Sequence, residues 1–280
     1  MRNFNGYKQT KILETRVDNV NRSETLTILE KKINQGGYSS PFHLVTAYSE
    51  FFVQARQDKE FREVLQKADL VVPDGVGPLA ALYYKGLLKK KDSLPIQTIK
   101  GLYTGARILQ GKVGQPVSGV WLFSKLTNMA SKENWKIFLL GGFGNTSERL
   151  ALQLRKKYSQ IKVEFDMGID DYDILNWDCD KVIAKINKFM PEILFVAFGP
   201  VKQEKWISKY KNRLKAKIII GVGGTFDEAL GIVNKVPSFV EDIGLKWLWR
   251  FAAQPKRLRR IINAFPVFPL LVFREAIERN

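Results

Sequence analysis

Residues 68–77 have the sequence Ala68-Asp69-Leu70-Val71-Val72-Pro73-Asp74-Gly75-Val76-Gly77. The apolar run from Leu70 to Val72 has the length and the β-branched content of a buried strand. A carboxylate, Asp74, follows at the carboxyl end of that strand, and open parallel sheets bind their ligands at this edge. Gly75 and Gly77 allow positive φ and a close approach of a ligand to the backbone. The stretch therefore predicts a strand of a parallel sheet that ends at a ligand-binding edge.

Asp74 has two interpretations on this local pattern. The residues after Gly77 predict a helix with Pro78 in its first turn, and Asp74 could cap that helix. An acid on a strand-to-helix turn is also well placed to take a proton from a substrate hydroxyl. The pattern alone leaves both the cap and the general base open.

Composition limits the class of protein. The 280 residues, 45% of them hydrophobic, suffice for one large α/β domain, or for such a domain and a tail. The single cysteine, Cys179, excludes an intramolecular disulfide, and with the lone His43 it excludes a Cys/His zinc cluster. One free thiol suits a reducing cytoplasm. The polar start of the chain leads us to expect no signal peptide there, and no window approaches the roughly eighteen apolar residues of a spanning helix.

The formal net charge of +17 indicates a partner that carries phosphates. Nucleic acid, a nucleotide and anionic lipid all meet that description. The basic residues concentrate in two segments, 85–100 and 246–260.

Strands alternate with helices through most of the chain. Further predicted strands at 135–140, 193–198 and 218–222 are separated by segments with helical periodicity. This spacing predicts an α/β fold with a doubly wound, mostly parallel, Rossmann-like sheet over residues 1–236. Residues 85–114 interrupt this alternation of strands and helices, which suggests an insertion. They are either a solvated excursion or a flap that binds a membrane surface or an acceptor.

The composition changes from residue 237 onward. Residues 244–251 are aromatic and basic, residues 254–260 are strongly basic, and residues 261–273 are mostly apolar. Aromatic side chains beside arginines favour a membrane-binding helical appendage at 237–280. The alternative is a pair of C-terminal helices that pack on the sheet.

Two glycine loops each follow an apolar strand. One contains Gly141 and Gly142, and the other contains Gly223, Gly224 and Thr225. Such loops let backbone N–H groups reach phosphates. Neither loop has the full dinucleotide fingerprint or the Walker lysine, so the pair favours a nucleotide diphosphate, with simple tight turns as the alternative.

The acidic pairs at 171–173 and 178–180 invite comparison with a magnesium site. They lie in a polar connection rather than at a strand end, and Asp178 could cap the next helix. We therefore expect no metal there.

A further motif, Gly199-Pro200-Val201-Lys202-Gln203-Glu204, follows the strand at 193–198 and begins a helix. The Gln203 amide can both donate to and accept from sugar hydroxyls, and Lys202 can meet a phosphate. Glu204 is expected to interact with the dipole at the helix N-terminus.

Taken together and in this order, the motifs resemble the WecG/TagA/CpsF glycosyltransferases over nearly the whole chain. The family adds N-acetylmannosamine or a related sugar to a lipid-linked acceptor. The residues that carry the resemblance are 45–46, 73–77, 139–142, 199–204, 221–227, 247–250 and 255–260.

The resemblance implies a role for each matching position. Asp74 would be the general base, Thr46 would position the sugar, and Gln203 would contact the donor. The uridine diphosphate would be bound by a larger set, namely Gly75, Gly141, Gly142, Gly199, Lys202, Gly223, Gly224, Thr225 and Asp227. Arg250, Arg257 and Arg260 would hold the pyrophosphate and stabilise the leaving group.

The resemblance also implies partners and a location. It implies a UDP-sugar donor, a polyprenyl-diphosphate-linked sugar acceptor, peripheral contact with anionic lipid at the cytoplasmic face, and no metal or other cofactor. The pathway would build a cell-surface polysaccharide or a teichoic-acid-type polymer.

Three departures from the family pattern affect substrate choice. Tyr48 replaces the usual asparagine, Lys246 replaces a glutamate, and residues 115–119 lack the usual arginine. A catalytically inactive scaffold that binds sugar nucleotide or lipid is therefore an alternative. A nucleic-acid-binding protein is the other rival, but the aromatics do not form a stacking platform, so we expect no nucleic acid. The oligomeric state is open, with a homo-oligomer among the options.

Overall fold

The computed structural model describes residues 9–35, 37–38, 40–169, 174, 177–232, 240 and 262–278. The strands are β1 (Gln9–Ile12), β2 (Thr15–Asp18), β3 (Phe42–Ala47), β4 (Leu70–Pro73), β5 (Lys136–Gly141), β6 (Lys162–Asp166), β7 (Ile193–Ala197) and β8 (Ile218–Gly221). The first helices are α1 (Arg22–Asn34), α2 (Ser49–Gln57), α3 (Lys59–Lys67), α4 (Val76–Leu87), α5 (Leu94–Leu109) and α6 (Gly119–Glu133). The later helices are α7 (Thr146–Lys157), α8 (Asp180–Phe189), α9 (Lys202–Tyr210), α10 (Thr225–Ala229) and α11 (Phe268–Glu278).

The central sheet has six strands in the order β4-β3-β8-β7-β5-β6, and every neighbouring pair is parallel. Strands β1 and β2 form a separate antiparallel hairpin. The predicted α/β fold with a doubly wound sheet is confirmed.

Alternate residues along each strand enter different cores, as the two-residue period of a strand requires. On β3, Leu44 joins the core that is covered by α1, α6, α7 and α10, whereas Val45 joins the core beneath α2, α3 and α4. A third core lies beneath α8 and α9, on the same face as Val45. Strands buried on both faces explain the near-continuous apolar runs in the sequence.

Residues 85–114, predicted as an insertion, contain the last residues of α4 and the whole of α5. The helix α5 lies against α4 and α11, with the rings of Tyr83 and Tyr103 6.4 Å apart. Only two of its residues, Gln97 and Thr104, are buried. The segment is thus an ordered helix that contributes little to the core.

The end of the chain packs into the molecule. Phe268, Val272 and Ala276 of α11 are buried in the core beneath α2 and α4, and the rings of Phe52 and Phe268 are 5.9 Å apart. This helix packs as the second alternative describes, while membrane binding by residues 237–280 stays a prediction. The basic and aromatic part at 241–261 lies outside the described residues. None of the described helices is both long enough and apolar enough to cross a membrane.

Candidate active site

The candidate site lies at the carboxyl edge of the sheet. The loops after β3, β4 and β7 lead to helices on one face, and those after β5 and β8 lead to helices on the other. Where neighbouring strands send their connections to opposite faces, a crevice opens between them. This crevice brings together the strand ends that the sequence singled out.

Asp74 is not the N-cap residue of the helix that follows it. The N-cap of α4 is Gly75, whose φ is 85° and which has no side chain to form a capping hydrogen bond. The half-buried Asp74 is fixed by a bond of 2.9 Å from its backbone N–H to Ala47 O, and its Oδ2 accepts a long bond of 3.4 Å from Gly119 N. The carboxylate therefore faces the N-terminus of α6, where partial positive charge favours an anion.

Gly119 connects this carboxylate to two threonines. A Cβ atom built on Gly119 would lie 3.2 Å from Thr225 Oγ1 and 3.7 Å from Thr46 Oγ1. Thr46 is the second-last residue of its buried strand, and Thr225 begins α10. Two of the predicted residues, Asp74 and Thr46, are thus brought together with a third, Thr225, around a backbone that has no side chain.

The two glycine loops also meet. Gly141 and Gly142 have φ values of 84° and 94°, conformations that favour glycine. Thr146 begins the helix after this loop, and its hydroxyl donates to Phe143 O within the loop. The same Oγ1 lies 3.4 Å from Asp227 Oδ1, which brings this loop beside the one after β8. Phe143 stands at the tip of the first loop and is 83% exposed. The loops therefore form one continuous backbone surface beside an exposed aromatic ring.

Gln203 is buried in a polar network rather than exposed to a ligand. Its Oε1 accepts from Gly223 N at 2.9 Å, and its Nε2 donates to Glu204 Oε1 at 3.0 Å. Glu204 in turn contacts His43 Nε2 at 2.7 Å through its other oxygen. Both Glu204 and His43 are buried. The network links strand β3, helix α9 and the loop after β8, so it fixes the position of Gly223.

The turn that carries Gly199 and Lys202 is strained. Val201 has φ 66° and ψ −56°, and Lys202 N donates to Pro200 O at 2.8 Å. These are the angles of a classic γ-turn, which β-branched residues rarely adopt. Such strain persists where the surroundings impose it, and it is common at functional sites.

Sequence reasoning missed three contributors to this edge, namely Gly119, the His43–Glu204 pair and Arg22. Arg22 donates from Nε to Pro116 O at 2.8 Å and lies 4.9 Å from the Trp121 ring. It therefore secures the segment at 115–119 that lacks the family arginine. The local sequence carried no signal for these contacts, because each partner comes from a distant part of the chain.

The remaining predicted residues lie at the edge or outside the described part of the chain. Gly224 is exposed and is the N-cap of α10. Three predicted arginines and one acidic pair lie outside the described residues, namely Arg250, Arg257, Arg260 and the pair at 171–173. Asp178 Oδ1 accepts from Asp180 N at 3.1 Å, and Asp180 pairs with Arg213 at 2.6 Å. No group of three or more acidic, histidine or cysteine side chains within the described ranges is suited to hold a metal ion.

The chain is similar to known proteins over most of its length. The family model described as the glycosyl transferase WecG/TagA/CpsF family matches residues 10–91 and 92–280. A relative from Bacillus subtilis strain 168 is 26% identical over 235 residues, which cover 84% of this chain and 79% of the relative. A relative from Staphylococcus aureus strain MRSA252 is 24% identical over 225 residues, which cover 80% of this chain and 77% of the relative.

Both relatives are named N-acetylglucosaminyldiphosphoundecaprenol N-acetyl-beta-D-mannosaminyltransferase. The family model spans both halves of the chain, including every described residue of the site. The chain therefore belongs to the WecG/TagA/CpsF family of glycosyltransferases.

Proposed function

We propose that this glycosyltransferase moves N-acetylmannosamine, or a close relative of that sugar, from a uridine diphosphate donor to a polyprenyl-diphosphate-linked sugar. The names of the two relatives support the transferred sugar and the lipid-linked acceptor. The observation that carries the proposal is the convergence of Asp74, Thr46 and Thr225 around Gly119 at the carboxyl edge of the sheet. The product would enter the synthesis of a cell-surface polysaccharide or a teichoic-acid-type polymer.

Asp74 is the proposed general base. As the acceptor oxygen attacks the anomeric carbon, its proton passes to the Asp74 carboxylate, and the bond from that carbon to the diphosphate breaks. Uridine diphosphate leaves with the bonding electron pair, and attack from the opposite side inverts the anomeric centre. Thr46 and Thr225 present hydroxyls beside the base, where they can orient a sugar.

The two glycine loops are the proposed nucleotide site. At Gly142 and Gly223 no side chain covers the backbone of the loops, so a nucleotide phosphate can come close to it. The Thr146–Asp227 contact holds the two loops together. Gln203 serves this site indirectly, because its amide fixes Gly223. Direct contact of Gln203 with the donor stays a prediction beside this role. Arg250, Arg257 and Arg260 remain proposed ligands of the pyrophosphate, and no metal is invoked.

The proposed location is the inner face of the cell membrane, where the chain meets its lipid-linked acceptor. Residues 237–280 are the proposed contact with the bilayer, as their aromatic and basic composition suggests. The buried free thiol of Cys179 suits a reducing compartment.

The rival is an inactive scaffold that binds the same ligands. The names of the relatives describe transferases, which favours the enzyme. The test incubates the purified full chain with radiolabelled UDP-N-acetylmannosamine and a polyprenyl-diphosphate N-acetylglucosamine acceptor. We expect labelled lipid and an equal amount of released uridine diphosphate, both dependent on the acceptor. Thermal shift by UDP-sugars without transfer of any of them would instead identify the scaffold.

A further inference from the structure

Helix α5 has its polar and apolar faces reversed. Its two buried residues, Gln97 and Thr104, are polar. Its exposed side chains are mainly apolar and between 44% and 72% exposed, namely Leu94, Ile96, Ile99, Leu102, Tyr103 and Leu109. A helix that packs on a soluble core has the opposite arrangement.

Polar contacts attach the inner face of α5 to the molecule. Lys100 Nζ donates to Leu87 O at 2.7 Å and to Asp92 Oδ2 at 2.5 Å. Gln97 Nε2 donates to Asp92 O at 2.9 Å, and Tyr84 Oη donates to Gln97 O at 3.4 Å. These polar contacts hold the helix in place together with the Tyr83–Tyr103 ring contact, and the other exposed apolar side chains are not part of them. An exposed apolar stripe of this size indicates an interaction surface.

The chain segments that flank the stripe in sequence are positively charged. Between residues 75 and 132 the only acidic residue is Asp92, which pairs with Lys100. Exposed lysines flank both ends of the helix, with Lys89, Lys90 and Lys91 before it and Lys112 after it. Two copies of α5 packed antiparallel would place these lysine groups against each other. An anionic surface complements them instead.

We propose that this face of α5 docks on a lipid bilayer that carries anionic headgroups. The apolar side chains would enter the boundary between headgroups and acyl chains, and the flanking lysines would meet lipid phosphates. This inference rests on the proposed function in one respect, since a lipid-linked acceptor requires the enzyme to work at a membrane. The chain connects α5 to the site at both ends, through α4 to Asp74 and through residues 115–118 to Gly119. Docking of α5 therefore brings the candidate site to the lipid surface.

The test is flotation of the full chain with vesicles, in the absence of any sugar nucleotide. Its outcome is therefore independent of whether the chain transfers a sugar. One variant carries Ile99→Gln and Leu102→Gln, and the matched control carries Leu152→Gln and Ile232→Gln at exposed apolar positions elsewhere. With vesicles of phosphatidylcholine and phosphatidylglycerol, the partition coefficient of the α5 variant should fall about tenfold or more. The control should bind like the unmodified chain, and thermal unfolding verifies that both variants are folded.

A second variant tests the charges. Replacing Lys89, Lys90 and Lys91 together by Gln should weaken binding to anionic vesicles and reduce its salt dependence. Unchanged flotation of the Ile99→Gln/Leu102→Gln variant would overturn the proposal. So would a shift of that variant from dimer to monomer in ultracentrifugation with flotation unchanged, since the face would then bind a second copy.

Discussion

At the scale of single residues, glycines allow the polar groups of the site to lie close to one another, because a glycine has no side chain. Gly119 lets two threonine hydroxyls and the Asp74 carboxylate share one small volume. Gly221 leaves room for the Gln203–Glu204 pair, because a Cβ atom there would come within 2.1 Å of Glu204 Oε1 and 2.5 Å of Gln203 Nε2. The buried network with His43 therefore depends on a glycine in the neighbouring strand.

Gly221→Ala should be strongly destabilising. The new methyl group must displace buried side chains that are hydrogen-bonded, so we expect the free energy of unfolding to fall by about 1–3 kcal/mol. Gly224→Ala is the control, since nothing lies within 4 Å of its Cβ position. It should change stability by no more than about 0.5 kcal/mol. Urea denaturation measures both, and equal effects would contradict the packing described for Gly221.

The sequence predicted Asp74 but not what surrounds it. Its place after an apolar strand was enough to put it at the binding edge. The sequence could not show the partner of its carboxylate, because Gly119 is separated from Asp74 by 45 positions, and the role of Asp74 as general base stays a prediction. For the same reason Glu204 was expected only to interact with a helix dipole, whereas it contacts His43 across the sheet.

At the scale of elements, an ion-pair cluster joins α3 to α9, the helix that carries Gln203. Asp58 caps α3 by accepting from Phe61 N at 2.9 Å, and it also contacts Lys205 Nζ at 2.8 Å. Lys205 contacts Glu60 at 2.5 Å as well. Burial raises the pKa of Asp58, but the hydrogen bonds from Lys205 and Phe61 N lower it by more, so the pKa lies below its ordinary value.

The lowered pKa gives a testable pH dependence. A carboxyl whose pKa is lower in the folded state stabilises that state above its unfolded pKa of about 3.9, and the stabilisation is lost as the pH falls through the folded pKa. Asp58→Asn keeps an N-cap residue but removes the charge. We expect it to cost about 0.5–1 kcal/mol at neutral pH, with the difference disappearing in acid. Thermal unfolding from pH 7 to pH 2 checks this, and a difference that stays constant with pH would contradict it.

The elements of the sheet could be predicted well because most of its strands are apolar runs with a turn after them. Helix α5 could not be assigned a face from its sequence, because its apolar residues satisfy the same period whether they point inward or outward. Only its polar contacts with Leu87 and Asp92 show that the apolar side is the outer one.

At the scale of the whole molecule, the last helix, α11, packs on the core beside the first strands of the chain. Besides Phe268 and its neighbours, α11 contributes Glu275, whose Oε2 accepts from Leu13 N at 3.1 Å and pairs with Lys85 at 2.6 Å. The predicted appendage therefore includes a structural helix. Deleting residues 237–280, the simplest test of membrane binding, would also remove part of the core.

Phe268→Ala should show that α11 belongs to the core. Phe268 is buried against Phe52, so its truncation should lower the free energy of unfolding by about 3–5 kcal/mol. Leu270→Ala, on the exposed side of the same helix, should cost no more than about 0.5 kcal/mol. Denaturant unfolding distinguishes them, and a small effect of Phe268→Ala would mean that the helix is peripheral.

The strand order was beyond sequence reasoning, since alternation predicts parallel strands but not which of them are neighbours. The order matters for the site because it places β3 between β4 and β8, so that Thr46 lies between Asp74 and Thr225.

The most direct test of the account is the transfer rate of Asp74→Asn, measured together with its affinity for uridine diphosphate. Asparagine keeps the shape of the side chain and an oxygen that can accept from Gly119 N, but it does not act as a base at neutral pH. The account predicts a turnover about 10²–10⁴-fold below that of the unmodified enzyme, with nucleotide affinity unchanged and with Asp178→Asn fully active as the control. Turnover of Asp74→Asn close to that of the unmodified enzyme would contradict it.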